Sequence, residues 1–258
     1  MFIEERHQSI LDYINKNGRI ATTEIQDMFQ VSFDTARRDL RILEEKGLIK
    51  RTRGGAIPVH QIGFSKPPKM TVRDVVEIKE NYFAIAQKAV SMIKSHDVIF
   101  IVSATVGYFM TQNLPKDIFI TVVTNSIIIA DELRKQDNIR VIITGGEMDG
   151  KGNCYDPFTI ETIKRMRFDK AFLTSASISA EFGLSIQRSN HVEFVNAVIN
   201  SSKCSVGLYP TEKIGFESII SICPANKLDI LITDWDASEE ELKKFEEQEI
   251  EIIVVEKK

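Results

Sequence analysis

Apolar positions in the first sixty residues recur at helical spacing. In "IEERHQSILDYINKNG" Ile3, Ile10, Leu11 and Ile14 share a face, and Asn17-Gly18 supplies a stop. "TTEIQDMFQ" predicts a short second helix capped by Thr22 or Thr23, with Ile25, Met28 and Phe29 on one side. Val31 follows in a tight turn. Ser32 then caps a third helix over 33–46, which Gly47 ends. The pattern changes at "LIKRTRGGAI", which predicts a β-hairpin around Gly54-Gly55. Three helices and a hairpin in about 55 residues make a winged helix-turn-helix.

Residues 58–76 carry Pro58, Pro67 and Pro68 without sustained periodicity and read as a linker between units at 1–57 and 77–258. Beyond it, "EIKENYFAIAQKAVSMI" is an amphipathic helix. Strand-like apolar runs follow at 98–103, 119–124, 139–144, 170–175, 204–209, 218–222, 228–233 and 250–255. Helical patterns fill 105–113, 126–136, 157–166, 189–201 and 238–247. Such alternation predicts an α/β domain built on a mostly parallel sheet.

Charge changes this picture. The chain carries a net charge of −4, yet residues 31–56 hold seven Lys/Arg against four acids, so everything outside that window sums to −7. A basic module on an acidic body is the asymmetry expected when one part alone meets phosphate. Within the third helix, at about 100° per residue, Leu40, Leu43 and Phe33 fall within roughly 60° of Ala36 and form one apolar face. Arg37, Arg41, Asp34 and Arg38 fall at about 100° to 200°, opposite that face. Asp39 turns partly inward and is expected to partner a group on the first or second helix. A solvated charged face is the ordinary meaning of such a pattern. Here the arginines occupy the first two turns, beside the hydroxyls of Ser32 and Thr35. A second basic cluster, Lys50, Arg51 and Arg53, falls on the hairpin. Arg37, Arg38 and Arg41 are therefore candidate readers of a DNA major groove, with the hairpin on the flanking backbone. Thr22 and Thr23, at the start of the second helix, join Asp34 among the DNA-binding candidates.

Other chemistries find little support. Cys154, Cys204 and Cys223 form no CxxC, and the four histidines are scattered, so no metal site, cofactor or catalytic set is predicted. Apolar runs are far shorter than the roughly 20 residues that span a bilayer. The acidic N-terminal stretch lacks the features of a signal peptide, and a cytoplasmic location is expected. In an open α/β sheet a ligand binds at the strand carboxyl ends. Those ends supply Ser103, Thr105, Thr124, Asn125, Ser126, Gly145 and Gly146, which suit a phosphate but equally serve as ordinary βα turns and caps.

"VSFDTARRDLRILEEKGLIKRTRGGA" resembles the signature of the DeoR family of bacterial transcription regulators. It has a serine and a threonine three apart, paired arginines, Asp-Leu, then "LEEKGL" and a basic run closing on Gly-Gly-Ala. The resemblance covers about 3–58 and implies DNA-reading residues among Ser32, Asp34, Thr35, Arg37, Arg38 and Arg41, with wing contacts from Lys50, Arg51 and Arg53. The remainder, about 77–256, is similar to the sensor domain of the same family, through "TVVTNSIIIADEL", "VIITGGEM", "RFDKAFL" and "GLS". That domain resembles ribose-5-phosphate isomerase in fold. The likeness adds Glu193 and Lys213 to the effector-binding candidates. The chain departs from the family pattern in "VSATV", where Val102, Ala104 and Val106 replace an acid, a glycine and a threonine. It departs again at Val195, where a lysine is usual, and at Pro210, where an acid is usual.

These departures argue against an active isomerase, which needs a positioned base and a group to stabilise the enediolate. They also weigh against a phosphorylated-sugar effector, and favour a less charged metabolite or a lost ligand. The expectation is a sequence-specific regulator, a repressor by family likeness, of a carbohydrate or related operon. It would bind a double-stranded operator as a homo-oligomer and respond to a small molecule. The alternatives are a sugar-phosphate isomerase or deaminase-like enzyme with an accessory N-terminal domain, and a winged helix that binds protein instead of DNA.

Overall fold

The computed structural model describes residues 3–59 and 80–257. The N-terminal unit consists of α1 (Ile3–Asn17), β1 (Ile20–Ala21), α2 (Thr22–Phe29), α3 (Phe33–Glu45), β2 (Ile49–Arg51) and β3 (Gly55–Pro58). Ile10, Ile14, Ile25, Ala36, Leu40, Leu43 and Ile49 bury a common core. Gly47, at φ +68°, takes the left-handed conformation that ends α3, and the Leu48 N–H reaches back to the Leu43 carbonyl at 3.0 Å.

Four details of this unit differ from the sequence reading. The hairpin has a third strand, with β1 pairing β3 antiparallel, because Ile20 needs a place in the core and two residues give no periodicity to detect. Pro58, assigned to the linker, pairs with Ile49 at the strand end, where a missing N–H is tolerated. The residue preceding α2 is Ala21, not a threonine; the Glu24 carboxylate accepts its N–H at 2.6 Å and closes the turn. Phe33, placed on the apolar face, is exposed, and the Arg37 guanidinium lies 5.9 Å over its ring. As the first residue of α3 it precedes the turns that pack. Residues 60–76 of the expected linker and 77–79 of the expected following helix lie outside the described residues.

The larger unit opens with α4 (Glu80–Val90). Its strands and helices then run β4 (Val98–Ile101), α5 (Thr105–Asn113), β5 (Ile120–Thr124), α6 (Ile127–Leu133), β6 (Ile139–Ile143), α7 (Pro157–Lys164) and β7 (Lys170–Leu173). They continue through β8 (Ser177–Ser179), β9 (Gly183–Ile186), α8 (Asn190–Asn200), β10 (Ser205–Leu208), β11 (Ile220–Cys223), β12 (Ile230–Thr233), α9 (Glu239–Glu246) and β13 (Glu251–Val254). Seven strands form a parallel sheet in the order β13-β12-β10-β7-β4-β5-β6.

Alternation along the strands feeds two cores. Ile99, Ile101 and Phe172 face α4, α5 and α6, while Phe100, Ala171 and Leu173 face α7, α8 and α9. The run at 218–222 is indeed a strand, but β11 joins β9 and β8 in a separate antiparallel sheet. β8 and β9 are short and serine-rich, so no apolar run announces them. The chain order reverses between β4 and β7: β5 and β6 extend one way, β7 and β10 the other. Such a switch point leaves a crevice at the strand carboxyl ends.

Candidate functional site

Two surfaces carry chemistry. On α3 the Ser32 hydroxyl accepts the Thr35 N–H at 3.2 Å and lies 2.8 Å from the Thr35 hydroxyl, fixing the start of the helix. Arg37, Arg38 and Arg41 are exposed and make no ion pair among the described residues; Asp34 and Thr23 are exposed as well. Behind them Asp39 is buried. It accepts the Arg6 Nε at 2.7 Å and Nη2 at 3.1 Å, and lies 3.0 Å from His7 Nε2, as its inward angle predicted. The hydrogen-bonded Asp39 carboxylate raises the pKa of Arg6 against its burial. This pair fixes the roll of α3 against α1, so the arginine face points outward.

The hairpin candidates are differently placed. Arg51 stays within its own unit, its N–H donating to Glu44 Oε1 at 2.8 Å. Lys50 reaches across to Glu241 Oε1 at 3.4 Å, and Arg53 to Glu239 Oε1 at 3.2 Å. Thr22 is buried, and its hydroxyl and N–H both donate to the Gly54 carbonyl, at 3.1 and 2.8 Å. That hydroxyl ties the wing to α2 and is not presented at the surface. Arg19, absent from the sequence-based candidates, pairs with Asp236 Oδ2 at 3.0 Å.

The second surface is the crevice at the switch point, a cavity of about 410 Å³. Ser103 and Lys213 line it, as do Val102 and Val195, two of the positions that depart from the family pattern. Lys213 Nζ donates to Thr174 Oγ1 at 3.1 Å and to the Ser175 carbonyl at 2.9 Å. Thr105 opens α5 behind this wall.

The other effector candidates lie outside this lining. Thr124 and Asn125 are fully buried. The Thr124 hydroxyl donates to the Ile101 carbonyl at 2.9 Å and the Asn125 amide to the Cys154 carbonyl at 3.1 Å. Ser126 caps α6. The Gly145 carbonyl accepts the Thr159 hydroxyl at 2.7 Å. Gly146, at φ +113°, sits so close under Asp156 that a Cβ would collide with it. Glu193 is exposed in an adjoining cleft with Glu147 and Asp156.

Sequence reasoning missed Lys151, Arg188, His191 and Tyr155, which also line the crevice. Lys151 and Tyr155 come from the loop before α7, Arg188 from the β9–α8 connection and His191 from the first turn of α8, and no strand-end pattern marks them. Tyr155 and His191 stack at 3.8 Å between ring centroids, and the Tyr155 hydroxyl is 2.6 Å from Ser103 Oγ. Burial, with Arg188 nearby, lowers the pKa of His191. Asp149, the acid in the lining, accepts the N–H groups of Lys151 and Asn153 at 2.9 and 3.0 Å. Lys151, Arg188 and Lys213 leave the crevice with a surplus of positive charge.

Residues 6–61 match the model of the DeoR-like helix-turn-helix domain, and residues 79–235 that of the DeoR C terminal sensor domain. The chain belongs to the DeoR family. Among the relatives of this DeoR-family regulator is the HTH-type transcriptional repressor GlcR of Bacillus subtilis, 33% identical over 91% of this chain and 89% of that protein. The HTH-type transcriptional regulator GolR of Listeria innocua is 28% identical over 99% of this chain and 100% of its own length. Ribose 5 phosphate isomerase A from Neisseria gonorrhoeae is a solved structure similar over 53% of this chain and 54% of its own, with a TM-score of 0.38 and 16% identity. The DeoR-family assignment makes the chain a DNA-binding transcription regulator and not an enzyme. Among the described residues no cluster of potential metal ligands occurs, and no helix is long and apolar enough to cross a membrane.

Proposed function

We propose that the protein is a cytoplasmic repressor that reads its operator with Arg37, Arg38 and Arg41 of α3, flanked by Ser32, Asp34 and Thr35. The observation that carries this reading is the exposed arginine face of α3, set outward by the buried Arg6–Asp39 pair and free of ion pairs among the described residues. Guanidinium groups in this setting can fork onto guanine O6 and N7 or onto phosphate. A single recognition helix binds weakly, so the functional unit is a homo-oligomer on paired half-sites. The division at 1–57, 58–76 and 77–258, with Pro58 moved into the first unit, fits these roles. Genome-wide footprinting, followed by gel shifts over a salt series, tests the reading. Binding that falls steeply with salt on a discrete site is expected; no salt-sensitive binding to any footprinted fragment refutes it.

The effector fits the crevice between β4 and β7. Loss of the family's polar groups at Val102, Val195 and Pro210 favours a less charged metabolite or a lost ligand, but the lining supplies Lys151, Arg188 and Lys213, and its acid among the described residues, Asp149, is engaged by backbone N–H groups. A small anion, such as a phosphorylated sugar of the carbohydrate operon under control, suits this surplus better. Isothermal titration with a panel of sugar phosphates should find a ligand whose affinity drops at least about tenfold in both Lys213→Ala and Arg188→Ala. Affinity unchanged by both substitutions would remove the crevice as the site.

A further inference from the structure

The wing does not stand clear of the rest of the molecule. Arg19, Lys50 and Arg53, all on or beside the hairpin, each meet an acid of the larger unit: Asp236 at 3.0 Å, Glu241 at 3.4 Å and Glu239 at 3.2 Å. The backbone joins in, since the Arg53 N–H donates to the Asp236 carbonyl at 3.4 Å. A Cβ placed on Gly54 would lie 2.8 Å from Asp236 Oδ1. Asp236 is itself held in place, its N–H donating to the fully buried Asp234 at 3.2 Å. Between the units lies a space of about 840 Å³ lined by Arg37, Arg51 and Arg53 on one side and by Trp235 and Asp236 on the other. A space of that size suits a small ligand and is far too small for a duplex.

We propose that Asp236, Glu239 and Glu241 form an intramolecular latch that occupies the wing's phosphate-binding cations and must release them before DNA is gripped. The three carboxylates neutralise the cations that the wing would offer to phosphates, so DNA and latch compete for the same charges. The latch is weak by construction. The Arg53–Glu239 pair is mostly exposed, whereas the other two pairs are half-buried, and exposed pairs hold little. It also shares a segment with the crevice. Gly215, whose carbonyl accepts Lys50 Nζ at 3.5 Å, lies two residues from Lys213, whose ammonium reaches into the cavity. Repositioning of Lys213 by an anion would move the carbonyl that holds Lys50. That last link rests on the proposed effector site; the latch itself does not.

The full chain carrying Asp236→Asn, Glu239→Gln and Glu241→Gln should bind both a footprinted fragment and a random-sequence duplex roughly tenfold more tightly than the unaltered protein. A control with the same loss of charge at the far end of α9, Glu246→Gln, Glu247→Gln and Glu249→Gln, should stay within about twofold. Equal gains in the two variants, or no gain in the first, overturn the latch. A second variant, Gly54→Cys with Asp236→Cys, places two thiols within disulfide reach. Oxidation should suppress DNA binding and reduction restore it. Full binding in the oxidised form, or failure to cross-link under oxidant, also counts against the proposal. Arg38→Ala serves as reference: if it binds as the unaltered protein does, the reading of α3 fails while the latch remains open to its own test.

Discussion

The arginines of α3 and the cations of the wing look alike in sequence and differ in their situation. Arg37, Arg38 and Arg41 are solvated and make no ion pair among the described residues, whereas Lys50 and Arg53 already face carboxylates of the larger unit. A cation that must leave an acid before meeting a phosphate gains only the difference between the two; a solvated one gains more. Basic residues within one DNA-binding unit can thus divide between reading and regulation according to what lies opposite them.

The largest test of this contrast removes the buried support of α3. Asp39→Ala leaves Arg6 without its carboxylate and should cost about 3–5 kcal/mol of N-terminal stability, measured by denaturant unfolding. A loss under about 1 kcal/mol would mean that the α3 face is held by its apolar side alone. Next comes the direct comparison. Arg38→Ala should weaken operator binding by about 1–3 kcal/mol if it reads a base, while Arg53→Ala should cost well under about 1 kcal/mol because it also frees the wing. Gel shifts with both variants decide it, and a larger effect at Arg53 would reverse the contrast. Ser32→Ala, by opening the cap of α3, should cost about 1 kcal/mol in thermal unfolding of the same unit.

The smallest effect concerns pH. His191 faces Asp149, Lys151, Arg188 and Lys213 in the crevice, and burial holds its pKa below the ordinary value of about 6.5. Between the lowered value and about 6.5 the unfolded chain binds more protons than the folded one, so stability should fall as pH drops through that window. A bound anion acts in the opposite sense, since protonated His191 adds positive charge beside it. Once corrected for the phosphate's own second pKa of about 6, sugar-phosphate affinity measured by titration calorimetry should therefore rise on acidification; a corrected profile that stays flat would show that His191 does not face the ligand.

The N-terminal unit was legible because its information is local. The periodicity of Ile10, Ile14, Leu40 and Leu43, the Ser32 cap and the Gly47 stop lie within a few residues of what they control. Even the inward turn of Asp39 follows from its angle on the helix. The large sheet was legible for a similar reason: continuous apolar runs such as "VIFI" are needed when both faces of a strand are covered. The crevice was less so. Strand ends pointed to Thr124, at the end of β5, and to Asn125 and Gly146 in the turns after β5 and β6, none of which lines the crevice. Lys151, Tyr155 and Arg188 reach the site from loops, and His191 from the first turn of α8, in directions set by β8, β9 and the bend at Gly146. The pairing of Arg19 with Asp236 spans 217 positions, and no local rule signals a contact at such separation.

The Gly54 carbonyl, shared by the hydroxyl and N–H of Thr22, makes the wing and α2 a single stiff lever. A hairpin tethered only at its base would bend when pulled at the tip, and α3 would not feel it. Fastened to α2 at the tip, the wing cannot bend away from α2, so under the proposed latch its release would turn α2 and α3 as one body. On the proposed reading of α3, its arginines would then lose or gain their register on the operator together.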